Sequence, residues 1–177
     1  MSFNVRRPFH GFVSSREIRW RERFLLFLLL LGSALIQSSF SAVTQLYMFR
    51  PDLLLIVVVF WSLKKGAPSG FYTGLCAGLI GDIFSVGMLG LYSVSLGLVG
   101  FLVALGSHPL YRGHITTRLL MVALGAFISG ITYYLLLTVF SAAPPWPLAW
   151  SSAIWPGIWQ TVLIAPLWLW LTARVLR

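Results

Sequence analysis

Runs such as Phe24–Leu31 and Met121–Leu137 are long, apolar and free of charge. They restrict the possible folds more than any other feature of this chain. Soluble globular domains carry about 25% charged residues; this chain carries 10%, with 58% of its residues hydrophobic. The fold class that fits is an all-α membrane protein, several of whose helices cross a bilayer. The net charge of +9 sits between the apolar runs rather than on a polar domain. That pattern belongs to membrane orientation, not to nucleic-acid binding. The longest polar stretch, residues 1–23, is too short to bury a core of its own. It reads as a basic cytoplasmic juxtamembrane segment in front of a membrane domain spanning 24–177.

Prolines and glycines divide the apolar sequence at "FRPD", "KKGAPSG", "FSVGMLG", "GSHPLYRGH" and "SAAPPWPLAW", because both residues end helices through backbone geometry. Six helices are expected, at roughly 24–46, 52–64, 67–83, 88–107, 117–140 and 151–173, forming a six-helix transmembrane bundle with both termini cytoplasmic. Charge gives an independent check. With the first residues inside, Arg6, Arg7, Arg16, Arg19, Arg21, Arg23, Lys64, Lys65, Arg112, Arg118, Arg174 and Arg177 all fall on one side. Of the 13 basic residues only Arg50 falls outside, the bias expected of cytoplasmic loops. Trp146, Trp150 and Trp155 fall at the outer rim and Trp20, Trp61, Trp168 and Trp170 near the inner one, as interfacial indoles do. Trp159, one turn deeper, reads as a core aromatic. The N-terminus also has the parts of a secretory signal, with small residues "SFSA" at 39–42. Its apolar region continues to about Leu46, too long for a signal core, so it is expected to be retained.

The second helix is short. Leu53–Leu63 covers about 17 Å of a hydrocarbon core near 30 Å thick. Either the "YMFRPD" segment enters the membrane or the bilayer thins. Arg50 and Asp52 then lie below the outer surface, within the protein rather than against lipid. Counted from the turn at Lys65–Gly66, Asp52 and Asp82 stand at similar depth on adjacent helices. Arg50 with Asp52 and Asp82 forms a candidate charge cluster pinning helices two and three, since an unpaired charge there costs at least a few kcal/mol. The alternative is that Asp52 caps a helix N-terminus and Asp82 faces the outer water. Glu17 and Glu22 sit among the N-terminal arginines and read as a solvated salt-bridging segment.

Small residues mark the packing faces. Gly66, Gly70, Gly74 and Gly78 recur every fourth position, an arrangement that lets a neighbouring helix approach closely. Gly90, Gly97 and Gly100 do the same in helix four. In helix one, Ala34, Ser38 and Ala42 form a small-residue row beside a polar row of Ser33, Gln37, Ser41 and Gln45. Polar groups in lipid need partners, from sister helices or from another membrane protein.

Catalytic patterns are few. The sole cysteine, Cys76, rules out a disulfide within the chain and a cysteine-based metal site. In its glycine-rich helix it reads as a packing residue. His10, His108 and His114 have no acidic partners or ligand spacing, and no HExxH, GxSxG or P-loop pattern exists; no cofactor or metal is expected. "GLIGD" at 78–82 resembles the GxGD motif of intramembrane aspartyl proteases, with Asp52 as a second acid. Its spacing differs by a residue, and Arg50 beside Asp52 favours an ionised carboxylate over a shared proton.

Three segments, "FRPDLLLIVVVFWSL" at 49–63, "GLIGDIFSVGMLGLYSVSLGLVGFLVAL" at 78–105 and "PWPLAWSSAIWPGIWQTVLIAPLWLWL" near the C-terminus, together resemble the MreD family of the bacterial rod-shape machinery. The basic N-terminus, Arg-Pro-Asp opening helix two and an aspartate closing helix three also match. The family's Arg-Pro-Asp falls on Arg50, Pro51 and Asp52, and its helix-three aspartate on Asp82. The resemblance implies a non-enzymatic, multi-pass scaffold of the bacterial inner membrane that associates with MreC. Through MreC or directly it would join RodA and its penicillin-binding transpeptidase in peptidoglycan synthesis, with MreB filaments on the cytoplasmic side. The family is also similar in fold to the six-helix substrate-binding subunits of energy-coupling-factor vitamin transporters. Basic residues before Arg19 lie outside the family pattern and suit membrane lipids. Two alternatives stand beside the scaffold: a transporter-type solute-binding subunit, which needs an enclosed polar pocket, and an intramembrane aspartyl enzyme.

Overall fold

The computed structural model describes residues 20–43, 51–85, 88–106, 115–140 and 145–175, and among these no strand occurs. The helices are α1 (Trp20–Val43), α2 (Leu53–Lys65), α3 (Ala67–Ile83), α4 (Leu91–Gly106) and α5 (Ile115–Phe140). A short α6 (Trp146–Ala149) follows, running through a π-helical turn at Trp150–Ile154 into α7 (Trp155–Val175). Three of these segments, Arg21–Ser39, Thr116–Phe140 and Trp155–Val175, are long and apolar enough to cross a membrane; α4 is apolar but shorter.

The expected break at "SAAPPWPLAW" is narrower than the sequence suggested, because helix begins again at Trp146. Pro147 lies in the first turn of α6, where its missing N–H is one the helix leaves unbonded anyway. Pro156 is harder to place, since its ring collides with the carbonyl one turn earlier in a regular helix. The wider π-turn immediately before it relaxes that contact.

The short α2 is the centre of the bundle. All six residues from Leu54 to Val59 are 0% exposed, and α2 packs against α1, α3, α4, α5 and α7. A helix apolar on every side is a helix enclosed on every side. Its 13 residues therefore need not match the bilayer thickness, because neighbours rather than lipid surround them. Packing does the work here, as lipid is no less apolar than leucine and offers no hydrophobic gain between helices.

Side-chain contacts fix the relative directions of α1, α2, α5 and α7. Lys65 Nζ donates to Glu22 at 2.9 Å, joining the end of α2 to the start of α1. Arg118 lies over the Phe60 ring, 5.9 Å to its centroid, bringing the start of α5 to the same end. Thr161 Oγ1 accepts from the Asp52 backbone N–H at 3.0 Å, so α7 starts where α2 starts and carries Arg174 toward the lysines. Among the described residues, basic side chains thus gather at one end of the bundle and the two aspartates at the other.

The tightest seam lies between α3 and α4. A Cβ built on Gly70 would meet the Gly100 carbonyl at 2.5 Å, and one on Gly74 would meet the Leu96 carbonyl carbon at 2.6 Å. Gly78 lies as close to the backbone of Ser93. Ser93 Oγ donates to the Leu75 carbonyl across this seam at 2.8 Å. The outward faces carry Tyr72, Leu79, Ile83, Leu98 and Leu105, all exposed, a surface suited to lipid.

Candidate functional site

Asp52 and Asp82 each meet a helix N-terminus. Asp52 precedes α2, and its Oδ1 accepts from the Leu55 N–H at 2.9 Å. The same oxygen accepts from the Tyr92 hydroxyl of α4 at 2.5 Å. Asp82, at the end of α3 and 3% exposed, reaches across to α4, where Oδ2 accepts from Gly90 N–H at 2.8 Å and Ser93 N–H at 3.2 Å. Helix N-termini present unbonded N–H groups and partial positive charge, so a carboxylate there is satisfied chemically and electrostatically. Gly90 has φ +100°, a left-handed conformation that glycine alone adopts cheaply. That turn brings the start of α4 back under Asp82.

Between the two aspartates lies a cavity of about 420 Å³. Gln37 enters from α1, Asp52 from the start of α2, and Gly81, Asp82 and Ser85 from the end of α3. Tyr92 comes from α4, Ser129, Tyr133 and Tyr134 from α5, and Thr161 from α7. Leu137, Ile154 and Ile158 supply apolar wall. Gln37 reaches Tyr92, so Gln37, Tyr92, Asp52 and Thr161 link α1, α4, α2 and α7 in one polar chain. The Gln37 Oε1 atom is shut off from solvent and has no hydrogen-bond partner.

The residues singled out from sequence are distributed as follows. Arg50 and Gln45 lie outside the described residues. Asp52 bonds to Leu55 of α2, Tyr92 of α4 and Thr161 of α7, and Asp82 to the start of α4; the charge cluster expected from the sequence needs Arg50 and so lies outside the described residues. Ser33 and Ala34 face inward at 0% and 2% exposure, and Ser33 Oγ donates to the Leu29 carbonyl of its own helix at 2.6 Å. Ser38 Oγ donates to the Leu35 carbonyl at 2.9 Å. Ser41 and Ala42 belong to α1, and their side chains lie outside the described set. Gly70, Gly74 and Gly78 form the α3 side of the seam with α4.

Sequence reading missed Tyr92, Ser129, Tyr133 and Thr161. A signal existed for one pair. Ser129 and Tyr133 are four apart in an otherwise apolar helix and therefore share a face. Tyr92 and Thr161 gave no such pattern, being single polar residues whose partner lies 40 and 109 positions away.

Compared with known families, residues 18–175 match the profile of the rod shape-determining protein MreD. Comparison with curated proteins and with solved structures finds no match.

Proposed function

The chain belongs to the MreD family of rod shape-determining membrane proteins, and from that premise we propose that it is a non-enzymatic scaffold of the cell-elongation machinery. In this reading it crosses the bacterial inner membrane six times, with both termini cytoplasmic, as a bundle of the energy-coupling-factor subunit kind. It binds MreC by helix packing, and through MreC or directly it holds RodA and its penicillin-binding transpeptidase, with MreB joined indirectly from the cytoplasm. The basic end of the bundle faces the cytoplasm, in line with the bias of cationic residues to that side, and the aspartate cavity faces outward.

The observation that carries the scaffold reading is the openness of α1. Only 17% of the apolar stretch within Arg21–Ser39 is buried, so most of its surface is uncovered. With the glycine row of α3 already covered by α4, α1 is a helix with room for another. Phe24, Leu28, Leu31, Leu35 and Ser38 follow one another at alternating four- and three-residue steps, and Phe24, Leu28 and Leu35 are exposed. That is the heptad spacing of a helix seam. It suits the single transmembrane helix of a partner.

The test is cysteine crosslinking in cells containing MreC, with Cys76 replaced. Leu28→Cys and Leu35→Cys should crosslink to MreC, while Leu79→Cys, exposed on α3, should not. Crosslinks of equal yield from α3, or none from α1, would refute the chosen face.

A further inference from the structure

Among the described residues, the cavity wall carries more negative charge than helix capping consumes. Asp52 and Asp82 both stand in its wall, and among the described lining residues there is no lysine, arginine or histidine. Each aspartate caps one helix start, and a helix N-terminus offers the equivalent of about half an elementary charge. With both carboxylates ionised, two such ends leave roughly one negative charge of the described wall uncompensated. The bonds described above engage Oδ1 of Asp52 and Oδ2 of Asp82, so each carboxylate keeps its other oxygen outside them.

The remaining wall is that of a cation site. Tyr92, Tyr133 and Tyr134 line it, and aromatic ring faces attract ammonium and guanidinium groups. Leu137, Ile154 and Ile158 offer apolar surface to a carbon skeleton. At about 420 Å³ the space falls within the size range of small-molecule pockets.

We infer that this cavity binds an organic ammonium ion, with Asp52 and Asp82 as counter-charges and the tyrosines as its aromatic wall. The inference stands apart from the scaffold reading, which concerns the outer face of α1 and assigns the cavity nothing. The ammonium group comes either from a free amine in water or from the headgroup of an aminolipid, and the experiment separates the two.

The purified full chain in neutral detergent is titrated calorimetrically with phenethylamine and with its uncharged counterpart 2-phenylethanol. The amine is expected to bind at least about tenfold more tightly than the alcohol. Asp82→Asn and Asp52→Asn should remove that preference, since asparagine still caps a helix start but carries no charge. Ser129→Leu, which fills the cavity without touching either cap, should abolish binding while leaving the melting temperature near that of the parent. For the lipid arm, native mass spectrometry follows which lipid stays on the protein in mixed micelles of phosphatidylethanolamine and phosphatidylglycerol. Retention of the ethanolamine lipid, lost in Asp82→Asn, assigns the ammonium to a headgroup; binding of the soluble amine without such retention assigns it to a free amine. Equal binding of amine and alcohol, or amine binding unchanged in both aspartate variants, overturns the inference. So does the absence of both amine and aminolipid binding. Amine binding that emerges only in Arg50→Ala would also overturn it, by showing that a side chain of the protein itself supplies the cation.

Discussion

Adding one methyl group at Gly74 should loosen the bundle, although alanine is the better helix former. The added Cβ falls 2.6 Å from the Leu96 carbonyl carbon and 2.8 Å from Gly97 Cα, where ordinary contact begins at 3.4 Å. The shortfall is about 0.8 Å, and both obstacles are backbone, which no rotamer change can clear. Helices α3 and α4 must separate along the seam, an overpacking cost of about 1–3 kcal/mol. Gly32 supplies the control: it lies inside α1, and a methyl group added there would meet nothing within 4 Å. At that position the same substitution should gain about 0.5–1 kcal/mol, the ordinary preference of a helix for alanine over glycine. Reversible unfolding in mixed micelles of rising SDS fraction, followed by tryptophan fluorescence, measures both. The opposite signs are the prediction. A Gly74→Ala protein as stable as the parent, or stabilised as much as Gly32→Ala, would refute close backbone contact as the basis of the seam.

Three further outcomes can be read in the same assay. Tyr92→Phe removes a hydroxyl that donates to Asp52 and should cost about 1.5–3 kcal/mol, the range for a hydrogen bond to a charged group; an unchanged midpoint would mean that this bond contributes nothing. Asp82→Ala leaves the Gly90 and Ser93 N–H groups without their acceptor and should cost at least about 0.5–2 kcal/mol, whereas Asp82→Asn should recover most of the loss. The Lys65–Glu22 pair, with side chains 22% and 35% exposed, should show a coupling of only about 0.2–1 kcal/mol in a double-mutant cycle, shrinking as salt is added. A larger, salt-independent coupling would contradict its position near water.

The helices were legible in the sequence because their signals are local: apolar runs, glycine and proline breaks, and charge alternation. The first turn of α6 was missed because Pro145 and Pro147 read as a break, while in space the π-turn before Pro156 carries the helix through. The shortness of α2 was visible, but its reason was not. Leu54 to Val59 look like lipid-facing residues until five neighbours enclose them. The same limit applies to the site. That Asp52 could cap a helix was readable from the proline before it. That Tyr92 and Thr161 would close on it depends on α4 and α7 folding back beside α2, which no local pattern encodes. The Ser33 and Gln37 row announced a need for polar partners without indicating that Gln37 would meet Tyr92 at the edge of a cavity.

The proposed bundle has its cationic end in the cytoplasm and its aspartate cavity opening on the far side. Labelling of intact cells with a membrane-impermeant maleimide tests this directly, using single cysteines in a chain lacking Cys76. Ser85→Cys, exposed beside Asp82 at the cavity, should react from outside, and Lys64→Cys, exposed at the opposite end, should react only after the membrane is opened. Labelling of Lys64→Cys in intact cells with Ser85→Cys protected would contradict it.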